Sequence, residues 1–277
     1  MQPIKNSYHV AVPTAFDADE GLNSAQTLSH IASLYVQGIR AVLICGSTGE
    51  QHSLSLQEKL TLIDAINAAA LPDDLEIIFG VASIRLSEAK ILAQHVNCSQ
   101  KIIASLIGFP PYIRPSQQEA LVYSHSLIEQ LRDKNILLYN NPARTGFDLS
   151  ISATVKLLQH PQITGIKEAG DITKIPALLA QINRPIDLYC GGELHLAQQI
   201  KAGFNRLSSI AGNIYPAEIG DYFARLLSQQ ITAQEIQVIK SLLSTVYTEN
   251  TLQNIKTLIG KKTDIDMGIC RAPLGMA

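Results

Sequence analysis

The chain has 277 residues, 46% of them hydrophobic and 17% charged, with a formal net charge of −2. That composition excludes a disordered or fibrous chain, and a chain of this length buries about 75% of the surface its unfolded form exposes, enough for one large core. The near-neutral, interspersed charge leaves no electrostatic footprint for nucleic acid, and no apolar run nears the ~18 residues a membrane-spanning helix needs. Small metabolites are the expected partners.

The opening segment, MQPIKNSYHVAVPTAF, lacks the hydrophobic region of a signal peptide. Cys45, Cys98, Cys190 and Cys270 lie far apart, with no CxxC pair and no histidine at ligand spacing. They are expected to be four buried free thiols in a reducing, cytoplasmic compartment, with no metal site.

Taken in chain order, short apolar runs recur at 8–13, 39–45, 75–81, 101–107, 135–140, 163–168, 186–190 and 206–210. Each is nearly continuous rather than alternating, as parallel strands covered on both faces should be. Helical spacing separates them at 57–70, 86–95, 116–131, 152–159, 174–181, 193–201 and 217–229. In the first of these, Leu60, Ile63 and Ile66 share one face; in 116–131, Ser116 and Glu119 form a capping-box pair. Such alternation predicts either an α/β (β/α)8 barrel (a TIM barrel) or a doubly wound sheet. No GxGxxG or GxxxxGK[ST] follows the first strand, so the strand count and the length favour the barrel. After residue 230 the pattern is helix only, at 233–247 and 250–260, followed by an irregular stretch at 261–277. The expected organisation is a catalytic barrel over 1–229 and a C-terminal helical appendage over 230–277, packed on it.

Barrels of this kind carry their active sites at the C-terminal ends of the strands. The second strand runs into Gly46-Ser47-Thr48-Gly49-Glu50, and the fourth into Pro110-Pro111-Tyr112-Ile113-Arg114. The fifth ends in Tyr139-Asn140-Asn141-Pro142-Ala143-Arg144-Thr145-Gly146, and the sixth in Gly165-Ile166-Lys167-Glu168-Ala169. The seventh leads to Gly191-Gly192-Glu193, and the eighth contains Ser208 and Ser209.

Lys167 stands out because an ammonium is costly inside an apolar strand. Desolvation lowers a lysine's pKa, and the neutral amine so produced attacks a ketone. The alternative, an ion pair with Glu168, is geometrically poor because adjacent strand residues point to opposite faces. Tyr139 is a candidate acid–base group, with hydroxyls of Ser47, Thr48 or Tyr112 as a proton path; simple barrel packing is its alternative. The Gly-Ser-Thr-Gly turn offers backbone amides to a carboxylate, or is a bare turn. The guanidinium of Arg144 suits a second carboxylate, or is merely solvated.

Together these segments resemble the dihydrodipicolinate synthase / N-acetylneuraminate lyase family of class I, Schiff-base-forming aldolase-type enzymes. The likeness covers about residues 8–215, with GSTGE, PPYIRPS, YNNPARTG and GIKEA in the family's order and spacing. The arginine in YNNPARTG is typical of the synthases. The resemblance implies that Lys167 forms the Schiff base with pyruvate, so that no separate cofactor is needed, and that Thr48 holds the pyruvate carboxylate. Tyr139 would shuttle protons through Ser47 and Tyr112, and Arg144 would bind the carboxylate of the aldehyde partner, aspartate semialdehyde. Gly191 would line the pocket, and Ser208 stands where a backbone group contacts pyruvate. Tyr112 would reach into a neighbouring subunit's site, implying a homodimer or homotetramer.

Four positions depart from the synthase pattern: Ser47 for threonine, Pro111 for an aromatic, and Ile113 and Gly192 for polar residues. The departures leave the pyruvate half of the implied site intact. They keep open a 2-keto-3-deoxy sugar acid aldolase or an N-acetylneuraminate-type lyase, and, from another class, a non-catalytic paralogue that binds a keto acid.

Overall fold

The computed structural model describes residues 2–275. Eight parallel strands close into one barrel in chain order. They are β1 (Tyr8–Ala11), β2 (Ala41–Ile44), β3 (Glu76–Val81), β4 (Ile102–Gly108), β5 (Asn135–Asn140), β6 (Ile163–Glu168), β7 (Asp187–Cys190) and β8 (Arg206–Ser209). β8 pairs with β1, His9 opposite Ser208, to complete the ring. Every expected strand is present within two residues of its anticipated ends, because continuous apolar runs are what a doubly covered parallel sheet demands.

Helices α1 (Ser24–Val36), α2 (Leu56–Ala68), α3 (Leu86–Cys98), α4 (Gln117–Ile128), α5 (Pro142–Thr145), α6 (Ile151–Leu158), α7 (Ile175–Leu179), α8 (Leu196–Lys201) and α9 (Pro216–Leu227) follow the strands. After a connection over 228–232, α10 (Ala233–Val246) and α11 (Thr251–Thr263) form the all-helical C-terminal part. Reciprocal capping boxes start α2 at Ser55 and Glu58, α4 at Ser116 and Glu119, and α10 at Thr232 and Glu235. Each satisfies backbone N–H groups that a helix start otherwise leaves without partners.

The structure corrects the sequence reading in four places. α1 was not among the expected helices; two of its four buried residues are polar, Thr27 and His30, which blurs its apolar periodicity. The buried face of α2 is Lys59, Leu62, Ile63 and Ile66, with Leu60 at its edge. Lys59 can occupy that face because its ammonium donates to the Ala82 carbonyl at 3.1 Å. The anticipated helix at 174–181 is only α7, preceded by a 3-10 turn over Ile172–Lys174. Finally, the thiols are all free, but Cys98, the last residue of α3, is exposed rather than buried.

The main core lies between the strands and the helices. A second, smaller cluster fills the barrel itself with Ala11, Leu43, Ile78, Ala104, Leu106, Leu137 and Tyr189. Below it, the N-terminal mouth is sealed by polar groups: Arg206 pairs with Asp187 at 2.9 Å, and the Glu76 carboxylate accepts the amides of Lys5 and Asn6 at 2.8 and 3.0 Å. The plugged floor leaves the C-terminal mouth as the open end.

Candidate active site

Strand register brings the candidate residues together. Tyr139 on β5 pairs directly with Lys167 on β6, and alternation turns both side chains inward. A cavity of about 370 Å³ opens above them, lined by Ser47, Thr48, Tyr139, Arg144, Lys167 and Gly191 among others. Thus six of the eight residues singled out in the sequence line one space. Ser208 lies beneath it, fully buried, and receives a hydrogen bond from Lys167 Nζ at 2.8 Å. The side-chain hydroxyl of Ser208 thus touches the amine itself, a contact beyond the one the resemblance implies for its backbone.

Lys167 is 7% exposed. Burial lowers its pKa, and the nearby Tyr139 and Glu193 charges recover only part of that shift. The neighbouring Glu168 faces the other way: it lies 3.1 Å from Lys174 Nζ and accepts from Asn140 Nδ2 at 2.8 Å. The ion-pair alternative for Lys167 is therefore absent, as strand alternation required.

The Tyr139 hydroxyl stands 3.4 Å from Ser47 Oγ and accepts from Asn141 Nδ2 at 2.6 Å. Lys167 Nζ is 4.9 Å from the centre of the Tyr139 ring. Burial raises the phenol's pKa, but Lys167, the hydrogen bonds with Ser47 and Asn141, and Arg144 outweigh it and leave the group below its ordinary value. A lysine and a phenol that both titrate nearer neutrality can exchange protons with a bound reactant.

Gly191 leaves room beside the amine: a Cβ there would come within 3.2 Å of Ala169 Cβ and 3.7 Å of Lys167 Cε. Arg144 sits in the single-turn helix α5, whose N-cap Asn141 accepts the Arg144 amide. Its guanidinium makes no ion pair among the described residues, so it faces the cavity mouth uncommitted. Tyr112 is 89% exposed, and does not line the cavity of its own chain.

Three features escaped the sequence reading. Asn141, next to the noticed YNNPARTG residues, orients the phenol. Glu50 closes the GSTGE turn and is paired at 2.7 Å with Lys256 of α11, both side chains fully buried. The C-terminal part also supplies cavity wall through Asn250, Thr251, Gln253 and Leu274. A lysine between Ile255 and the apolar face of α11 was the available hint; which loop it would meet was not readable. Among the described residues no cluster of His, Cys, Asp or Glu could hold a metal ion. Among the same residues no helix is long and apolar enough to cross a membrane.

The chain is that of an enzyme, a lyase of the class I aldolase type that makes or breaks carbon–carbon bonds with pyruvate. The chain belongs to the dihydrodipicolinate synthetase family, whose pattern it matches over residues 5–277. It is 32% identical over 215 residues to the 4-hydroxy-tetrahydrodipicolinate synthase of Stenotrophomonas maltophilia (strain R551-3), covering 74% of this chain and 69% of that one. Among solved structures, it resembles the chloride-inhibited dihydrodipicolinate synthase of Acinetobacter baumannii complexed with pyruvate: TM-score 0.85, 25% identity, 98% of this chain and 93% of that one. The sialic acid aldolase of Ruminococcus gnavus superposes with a TM-score of 0.89 at 15% identity, over 97% and 90% of the two chains, a likeness of fold.

Proposed function

We propose that the protein is a cytoplasmic 4-hydroxy-tetrahydrodipicolinate synthase of lysine biosynthesis, condensing pyruvate with aspartate semialdehyde through a Schiff base on Lys167. The observation that carries this reading is one cavity with two complementary halves. Its floor holds a desolvated amine beside a phenol, and its mouth holds an uncommitted guanidinium.

The neutral Lys167 amine adds to C2 of pyruvate, and the former ketone oxygen leaves as water, giving an iminium. Tyr139 supplies and takes back the protons, with Ser47 beside it. Thr48 and the amides of the Gly46–Gly49 turn hold the pyruvate carboxylate. Loss of a C3 proton gives an enamine that attacks the aldehyde carbon, whose oxygen becomes a hydroxyl. Arg144 holds the carboxylate of the aldehyde partner. The co-substrate's own amino group then displaces the Lys167 nitrogen from C2, closing the ring and freeing the amine. The exposed Tyr112 would extend the proton path in a second copy, which makes a homodimer or homotetramer the working unit.

One observation favours a second reading. Asn250, Thr251 and Gln253 line the same cavity, and a polar wall suits a polyhydroxylated chain, as in a 2-keto-3-deoxy sugar acid aldolase or an N-acetylneuraminate-type lyase.

Borohydride reduction in the presence of pyruvate, followed by peptide mapping, tests both. An adduct is expected on the Lys167 peptide, and its absence would sink both enzymatic readings in favour of a keto-acid-binding protein. With the adduct in hand, turnover of aspartate semialdehyde against hydroxyaldehydes selects the partner. Arg144→Ala should raise the KM for aspartate semialdehyde by about 10- to 100-fold, as expected for a lost charged hydrogen bond. An unchanged KM would remove the reason for preferring the synthase.

A further inference from the structure

Two buried carboxylates flank the pyruvate half of the site, and the C-terminal helices grip both. Glu50 ends the turn that carries Ser47 and Thr48. That turn is bracketed by two non-glycine residues in the left-handed region, Cys45 at φ +57° and Glu50 at φ +50°. Such residues persist only where the surroundings over-determine them. Here Glu50 Oε1 lies 2.7 Å from Lys256 Nζ, and Oε2 accepts the Arg271 amide at 3.0 Å. Lys256 is itself fixed by the Ile269 carbonyl at 2.9 Å and by the Phe16 ring at 4.4 Å. The Gly49 carbonyl accepts from Thr14 Oγ1 at 2.7 Å, holding the turn from the barrel side.

Glu193 stands two residues beyond Gly191. Its carboxylate accepts from the Ser209 hydroxyl, from the Ile210 and Ala211 amides at 3.1 and 3.3 Å, and from the Tyr247 hydroxyl at the end of α10. The same phenol accepts the Glu193 amide at 3.3 Å, and Gly192, at φ +126°, would place a Cβ 2.9 Å from it. Ser209 adjoins Ser208, the hydrogen-bond partner of Lys167. One carboxylate therefore ties the ends of β7 and β8 to the C-terminal part, just as Glu50 ties the end of β2.

We infer that the C-terminal helices are a clamp on the two loops that receive pyruvate, with Lys256 and Tyr247 as positioning residues. Stability alone is a weak reason for the Glu50–Lys256 pair, since apolar residues of similar size commonly replace a fully buried ion pair at no cost. A pair at the foot of a strained turn does something packing cannot: it holds the Glu50 carboxylate in place from one side while the Arg271 amide aims a directional bond at it from the other. The inference rests on pyruvate binding at Lys167, but its structural half can be read without substrate.

Three variants of the full chain test it: Lys256→Met, Tyr247→Phe, and Glu50→Gln combined with Lys256→Met, which leaves no lone buried charge. Amide hydrogen exchange over residues 46–50 should accelerate in the two Lys256 variants, and over 191–193 in Tyr247→Phe. The KM for pyruvate should rise about tenfold, with a smaller fall in kcat, as expected when binding of ground and transition states is lost together. If Lys256→Met does not fold, the double variant and Tyr247→Phe carry the test. Unchanged exchange at both loops in folded variants would overturn the clamp, as would a wild-type KM in a variant whose loop exchange has risen. Failure of the unaltered protein to form a pyruvate adduct would instead remove the proposed function, and the exchange data would still judge the clamp.

Discussion

The side chains that face into the barrel treat buried charge in opposite ways at its two ends. At the N-terminal mouth, Arg206 meets Asp187, and Glu76 is satisfied by two backbone amides. At the C-terminal end, Lys167 makes its direct contacts with the neutral hydroxyl of Ser208 and the face of a phenol ring, and the nearby Glu193 charge offsets only part of its desolvation. A paired charge holds strands together. A charge buried without a carboxylate loses part of its ionisation and becomes a nucleophile. The difference suits one end to be a floor and the other to be the proposed reaction site.

The sharpest way to break that comparison is to make the same replacement at both ends. Lys167→Met should abolish the pyruvate adduct and turnover while leaving the unfolding temperature unchanged or raised, since it removes an unpaired buried charge. Arg206→Met should leave the kcat of the folded fraction intact and cost on the order of 3 kcal/mol in urea unfolding, because it strands Asp187. If Arg206→Met instead abolished turnover of folded enzyme, the division of labour would be wrong.

Next in size, Tyr139→Phe should lower kcat by about 10²- to 10⁴-fold, the usual range for a general acid–base group. It should also slow adduct formation without displacing Lys167; a loss under tenfold would hand the proton work to another group.

Acid sharpens the comparison around the seam of β1 and β8, where His9 lies on β1 and His30 joins α1 to the turn after β8. His30, bonded through Nε2 to Asn213 at 2.9 Å, has its pKa lowered to about 4 by burial, and His9 is pushed well below the usual range by burial and by Lys167. A histidine whose folded-state pKa lies below its unfolded value stabilises the fold while neutral. That contribution is present above the unfolded pKa of about 6.5 and is lost as pH falls towards 4. Urea unfolding at pH 5 should therefore give about 2 kcal/mol less stability from His30 than at pH 7, and His30→Gln should flatten the slope.

The smallest effect is expected at Ser208. Ser208→Ala removes one neutral hydrogen bond to Lys167 and should cost about 1 kcal/mol, seen as a several-fold slower adduct rate. No change would mean that the hydroxyl does not orient the amine.

The sequence by itself determined the strands, the barrel and most of the residues that line the cavity at the strand ends. Parallel strands announce themselves as continuous apolar runs, and Lys167 as the charge that interrupts one. The alternation of side chains made Glu168 a poor partner for it, and Glu168 pairs with Lys174 instead. Local signals were weaker where burial mixes polar with apolar residues, as in α1, and where a lysine hides on a buried face, as in α2. Only the tertiary structure decided what lies between distant segments: the Ser208 hydroxyl under the amine, the Asn141 bond to the phenol, and the grip of Lys256 and Tyr247 on Glu50 and Glu193. Each is a pairing across the fold, set by strand register and helix docking rather than by periodicity, and no local pattern names the partner. The C-terminal helices, legible in the sequence only as an appendage, are a wall of the site because α11 packs across the end of the barrel that β2, β5 and β6 leave open.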